Sequence, residues 1–171
     1  MSGVSAGDSI IINILRKVNY TIEIDKIPTG TLLTTSGTTQ AMAVLDLRGK
    51  NMLFSSYTLV SSIILDKSTW QDYIFSAYCV NFHGDIPSSS TLFQINGMAD
   101  PNILKIYNSL NKYPTSNSEV AALQTAIYVV TDNISLSELQ SRFSSGVPEV
   151  QNAKAILDKA GIDTSKASLF T

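Results

Sequence analysis

Apolar and polar positions in the first half of the chain alternate with a period of two. Tyr20, Ile22 and Ile24 interleave with Thr21, Glu23 and Asp25, the pattern of a strand with one face in a core. IPTGT at 27–31 reads as a turn. TLLTT (31–35), AMAVLDL (41–47) and YTLVSSIIL (57–65) are rich in β-branched and apolar residues and read as strands. SGTT (36–39) and RGKN (48–51) read as the turns between them. WQDYIFSAYCVNF (70–82) is the last strong strand, and glycine, proline and serines in HGDIPSSS (83–90) break it.

The period changes in the second half. In ADPNILKIYNSLNKY (99–113), Asp100 reads as an N-cap, Pro101 as the first helical residue and Pro114 as the stop. Leu104, Tyr107 and Leu110 recur at helical spacing, and Ile103 and Ile106 widen the stripe. Ser116 with Glu119, and Ser135 with Glu138, are capping-box pairs that open two more helices. VPEVQNAKAILDKAG (147–161) has proline near its start and Gly161 past its end, with Val150, Ala153, Ile156, Leu157 and Ala160 as its apolar face. SKASLFT (165–171) reads as a short returning strand. These elements predict an α+β protein: a sandwich-like or barrel-like β region over about 8–97, then a helical region over about 100–161. With no repeat or low-complexity linker, residues 1–171 read as a single domain.

Composition narrows the class. Charged residues make up 15% of the chain, against roughly 25% in an average soluble domain. Serine and threonine take up that surface, a balance common in secreted and cell-surface modules. The net charge of −2 comes with no Lys/Arg block, so no electrostatic footprint for nucleic acid is present. No apolar run approaches the ~18–20 residues needed to span a bilayer. The first residues do not read as a secretion signal, because their short apolar run precedes Arg16 and Lys17 instead of following them. That pattern fits a cytosolic protein or a mature fragment with a new start methionine. One cysteine and one histidine argue against a disulfide framework and against a multi-cysteine or histidine-rich metal site, so no metal and no cofactor are expected.

The chemistry concentrates in two residues. Cys79 lies in the last strand, where alternation puts it on one face with Ala77, Asn81 and, if the strand continues, His83. Gln124 lies within VAALQTAIYVV (120–130), apolar on every side, which is the pattern of a core helix. A buried primary amide has four hydrogen-bonding sites to satisfy. Leaving one unpaired costs about 1–3 kcal/mol. The plain readings are a glutamine bonded to backbone or buried water, and a cysteine acting as a small hydrophobe. A joint reading also exists. A thiolate held against the glutamine carbonyl attacks it, expels ammonia and leaves a Cys–Gln thioester. Such a bond needs close approach and apolar surroundings that exclude water.

These residues resemble the thioester domains of bacterial surface adhesins. That family carries an aromatic-Cys-hydrophobic motif on a strand and a later Gln-x-Ala-Ile-Trp-like motif on a helix. The corresponding stretches are YCVN (78–81) and LQTAIYVVTDN (123–133), with Tyr128 where the family has tryptophan. The resemblance covers about 70–133. It implies a thioester between Cys79 and Gln124 that links strand to helix, and a single covalent capture instead of enzymatic turnover. A primary amine of the target, such as a lysine side chain of a protein or a small surface amine, attacks the Gln124 carbonyl, forms an amide and expels the Cys79 sulfur. It also implies a monomeric adhesion domain at the cell surface, reaching a membrane only through its parent protein. No sortase-type tail is visible.

Three side chains are auxiliary candidates. His83 is either a base for the thiol or amine, or a polar loop residue of the HGD turn. Tyr78 flanks the bond through its backbone while its ring packs in the core. Tyr128 shields the thioester or fills space. Two other functions fit the same residues. One is a structural or non-covalent binding module whose cross-link is an inert staple. The other is a Cys79/His83 hydrolase or transferase.

Overall fold

The computed structural model describes residues 6–25, 27–51, 56–143 and 146–171. Within them the order is β1 (Ala6–Ile14), β2 (Ile22–Asp25), β3 (Thr31–Thr34), β4 (Met42–Asn51), β5 (Ser56–Leu59), β6 (Ser62–Leu65), β7 (Gln71–Cys79) and β8 (Gln94–Met98). Four helices follow: α1 (Pro101–Ser109), α2 (Asn117–Asp132), α3 (Leu136–Arg142) and α4 (Val147–Lys159). The protein is therefore α+β, with an N-terminal sheet region and a C-terminal helical region.

The main sheet runs β1-β7-β4-β3-β8, with β5 also paired to β4, and β2 pairs β6 in a separate ribbon. All these pairings are antiparallel. Register shifts interrupt β1·β7, β3·β8 and β4·β7. Such bulges bend strands and increase their twist, which curls the sheet. β7 is central, and its residues from Tyr73 to Cys79 are all buried. The apolar surfaces of sheet and helices meet in one core, from Leu33 and Val44 through Phe75 and Ile106 to Leu157 and Leu169. α2 lies in the middle of it, touching α1, α4, β1 and β7, and its residues from Ala122 to Val129 are all buried. Among the described residues no helix is long and apolar enough to cross a membrane.

The capping readings hold. Asp100 accepts from the Asn102 N–H, and Ser116 and Ser135 each form a capping box with the glutamate three residues on. Several other readings need correction. RGKN is not a turn: β4 runs through it to Asn51, paired to β5 from Arg48 to Asn51. Ladder pairing overrides the local turn preference there. YTLVSSIIL is not one strand; it divides at Val60–Ser61, so that β6 leaves the main sheet for β2. SKASLFT is a series of turns, anchored by buried Ala167 and Leu169 and by the Ser168 N–H donating to Asn133 Oδ1. α1 ends at Ser109, before Pro114, because Leu110 is already extended. The sequence reading also lacked β1 and β8. β1 alternates as a strand should, with Ile10, Ile12 and Ile14 against the core and Ile11 exposed. β8 has no alternation to read, since all five of its residues are exposed.

Candidate functional site

The candidate site forms where α2 crosses the end of β7. Among the described residues, β1 pairs with β7 as far as Ala6↔Tyr78. Beyond that rung, the side-chain amide of Gln124 takes over the edge. The Cys79 N–H donates to Gln124 Oε1 at 2.9 Å, and Gln124 Nε2 donates to the Cys79 carbonyl at 2.7 Å. The carboxamide thus pairs with Cys79 as a strand's peptide group would. On the other side of β7 the ladder continues to β4, where the Val80 N–H donates to the Ala41 carbonyl at 2.9 Å. Cys79 has 0% exposure and Gln124 6%. The two residues singled out from sequence are in direct contact, and two backbone hydrogen bonds answer the question of how a glutamine survives in an apolar helix.

Burial dominates the thiol's ionisation. It pushes Cys79 up to about 12, against opposing effects of a hydrogen bond with Tyr128 and the charge of Arg142. Near neutral pH the sulfur is therefore protonated, and it is nucleophilic only once that proton leaves. Tyr128 sits one helical turn beyond Gln124, on the same face of α2. Its hydroxyl donates to Gln40 Oε1 at 3.1 Å, and Gln40 Nε2 donates to the Phe82 carbonyl at 3.0 Å. Burial also raises Tyr128, so its hydroxyl stays protonated.

The loop after Cys79 is held on several sides. Asp132 Oδ2 accepts from the Phe82 N–H at 2.9 Å, and Asn81 Oδ1 accepts from the Ala41 N–H at 2.7 Å. The Arg142 guanidinium donates to the Phe82 carbonyl, donates to the Gly84 carbonyl at 2.9 Å, and lies 5.1 Å above the Phe82 ring. The Phe82 ring meets Tyr128 edge-on at 5.1 Å and Phe143 at 6.2 Å. Gly84 allows the close approach: a Cβ there would lie 2.8 Å from the Thr38 carbonyl oxygen.

The other candidates fall around this centre. β7 ends at Cys79 and the chain bends at Val80, so alternation does not carry His83 onto the cysteine's face. His83 is exposed in the HGD turn, with its ring edge-on to Phe82 at 5.3 Å. The side chains acting on the thiol are Tyr128 and Arg142. Tyr78 is fully buried, its ring 6.3 Å from that of Tyr107, while its backbone pairs with Ala6 and Ala43. Gln40, with 0% exposure, and Arg142 were not singled out from sequence. The one available signal for Gln40 was an amide at the start of the apolar run AMAVLDL. Arg142 gave none, since an arginine in the last turn of a short helix is common.

Among the described residues no three His, Cys, Asp or Glu side chains group as metal ligands would. Comparison with protein-family models, with curated proteins and with solved structures found no match.

Proposed function

We propose that this is a covalent-capture domain, in which Cys79 and Gln124 form an internal thioester that reacts once with a primary amine of a target. A lysine side chain on a surface protein is the amine this reading expects, and the cell surface is the expected location. The observation that carries the proposal is the double hydrogen bond of the Gln124 carboxamide to the backbone of Cys79 itself. The residue that fixes the amide is also the residue that bears the sulfur.

The chemistry follows from that geometry. Once deprotonated, Sγ attacks Cδ of Gln124, the C–S bond forms and the C–Nε2 bond breaks. The departing nitrogen takes the thiol's proton and leaves as ammonia. The Cys79 N–H, 2.9 Å from Oε1, donates to the oxygen on which negative charge develops. The same donor serves the capture step. There an amine nitrogen attacks Cδ, the C–S bond breaks, and the amine's proton ends on sulfur. Buried Phe82, Leu123, Ile127 and Tyr128 limit hydrolysis by excluding water.

A second reading rests on the depth of the site. With Cys79 at 0% and Gln124 at 6% exposure, the same bond can serve as an inert staple. Intact mass with and without methylamine, together with thiol titration, tests both. A mass lighter by one ammonia with no titratable thiol is expected. Gain of methylamine with appearance of a thiol supports capture, and a deficit that persists supports the staple. The full mass with one titratable thiol would sink both readings and favour a non-covalent module or a Cys79 hydrolase.

A further inference from the structure

Breaking a thioester requires that the departing sulfur be stabilised, and the hydroxyl of Tyr128 is a hydrogen-bond partner of the Cys79 side chain. This hydroxyl has one proton. It gives that proton to Gln40 Oε1 at 3.1 Å, while a second contact joins it to the sulfur. With its proton on Gln40, the hydroxyl faces sulfur through its oxygen, which suits a thiol S–H. A thioester sulfur carries no hydrogen and accepts poorly, so the hydroxyl stays with Gln40. A thiolate reverses the preference, because a charged acceptor forms a much stronger hydrogen bond than a neutral amide oxygen.

Resting on the thioester reading, we propose that Tyr128 is the leaving-group donor of the capture reaction, its O–H turning from Gln40 to Cys79 Sγ as the C–S bond breaks. Gln40 is the positioning residue that holds the hydroxyl in reach meanwhile. Its own orientation is fixed because Nε2 donates to the Phe82 carbonyl at 3.0 Å, which leaves Oε1 toward Tyr128. The Phe82 ring, edge-on to Tyr128 at 5.1 Å, and the Phe143 ring, stacked at 6.2 Å, hold the phenol ring while its hydroxyl proton rotates. Protons balance without an added reagent. The amine loses one, sulfur gains one, and Tyr128 ends as it began. The sulfur remains protonated at neutral pH, since burial pushes the thiol up to about 12, and that discourages re-attack on the new amide.

The test compares wild type with Tyr128→Phe, which removes the hydroxyl and keeps the ring. Intact mass gives the thioester content, methylamine gives the aminolysis rate across pH, and alkylation of the sulfur after capture gives its titration midpoint. The expected result is a thioester in both proteins, with aminolysis slowed about tenfold or more in the variant, the loss typical of a donor to a charged group. The alkylation midpoint should also move to higher pH, which a space-filling role for the ring would not produce. Should Tyr128→Phe fold poorly, site-specific replacement of Tyr128 by a fluorotyrosine keeps the shape, sharpens the donor and should raise the aminolysis rate. A thioester in both proteins with equal rates and equal midpoints overturns the role of Tyr128 and leaves the thioester standing. Full mass in both proteins overturns the two readings together.

Discussion

Cys79→Ala separates a cross-linked domain from one in which the two residues only touch. Without a bond, the change deletes one sulfur from a site of 0% exposure. Losing a buried group of that size costs about 1–2 kcal/mol. With a thioester it also removes a tie between positions 45 apart in the chain. The chain-entropy treatment used for disulfides gives about 4 kcal/mol at 25 °C for a loop of that length. The expected losses are then about 5–6 kcal/mol with the bond and about 1–2 without it. In a chain of 171 residues each kcal/mol moves Tm by about 2–4 °C, so the expected falls are roughly 10–24 °C and under about 8 °C. Far-UV circular dichroism of the helices is the suitable probe, because Trp70 is 65% exposed and its fluorescence reports little on the core. Methylamine-treated wild type isolates the tie, since its sulfur is retained. If wild type carries the ammonia deficit and Cys79→Ala still lowers Tm by less than about 8 °C, the cross-link reasoning is refuted.

Three further outcomes are expected. The Glu119 carboxyl is held low chiefly by Lys112, that of Glu138 by the Ser135 backbone N–H, and that of Asp158 by Lys154. Depressed folded values mean that their stabilisation is present above the ordinary glutamate value of 4.5 and is lost as pH falls through the folded values. Tm should therefore be level from neutrality to about pH 5 and then decline, and Glu119→Gln should flatten part of that acid limb; an unchanged limb would refute the assignment. Gly84→Ala forces a Cβ to 2.8 Å from both the Thr38 carbonyl oxygen and Asn81 Nδ2. Overpacking of that kind costs about 1–3 kcal/mol in urea unfolding, and a neutral result would mean that the loop yields. Ser116→Ala removes the side chain that accepts from the Glu119 N–H at the start of α2. It should cost about 1 kcal/mol by the same measurement, and no loss would show that the rest of the helix makes the cap redundant.

Legibility of the site followed the strength of local signals. Gln124 stood out because an amide inside VAALQTAIYVV conflicts with its surroundings, and the conflict marks the contact with Cys79. Tyr128 came from the resemblance, as the aromatic at the family's tryptophan position. Gln40 and Arg142 carried no such conflict. Each is ordinary where it stands in the chain, and each matters only because the loop at 80–85 folds back against it. His83 misled for a related reason. A period-two projection is valid only while the strand lasts, and β7 stops at Cys79.

The sequence by itself determined the order of a β region and a helical region, because periods of two and 3.6 and the caps at Asp100, Ser116 and Ser135 are local properties. It also singled out Cys79 and Gln124, which the fold brings into contact. Only the tertiary structure decided how β5 and β6 part company and that RGKN stays extended, because ladder hydrogen bonds come from a partner strand. Tertiary structure alone also decided that β7 ends where α2 crosses it. There the Gln124 amide takes the place of the next rung, and the burial that lifts the Cys79 thiol comes from elements remote in the chain.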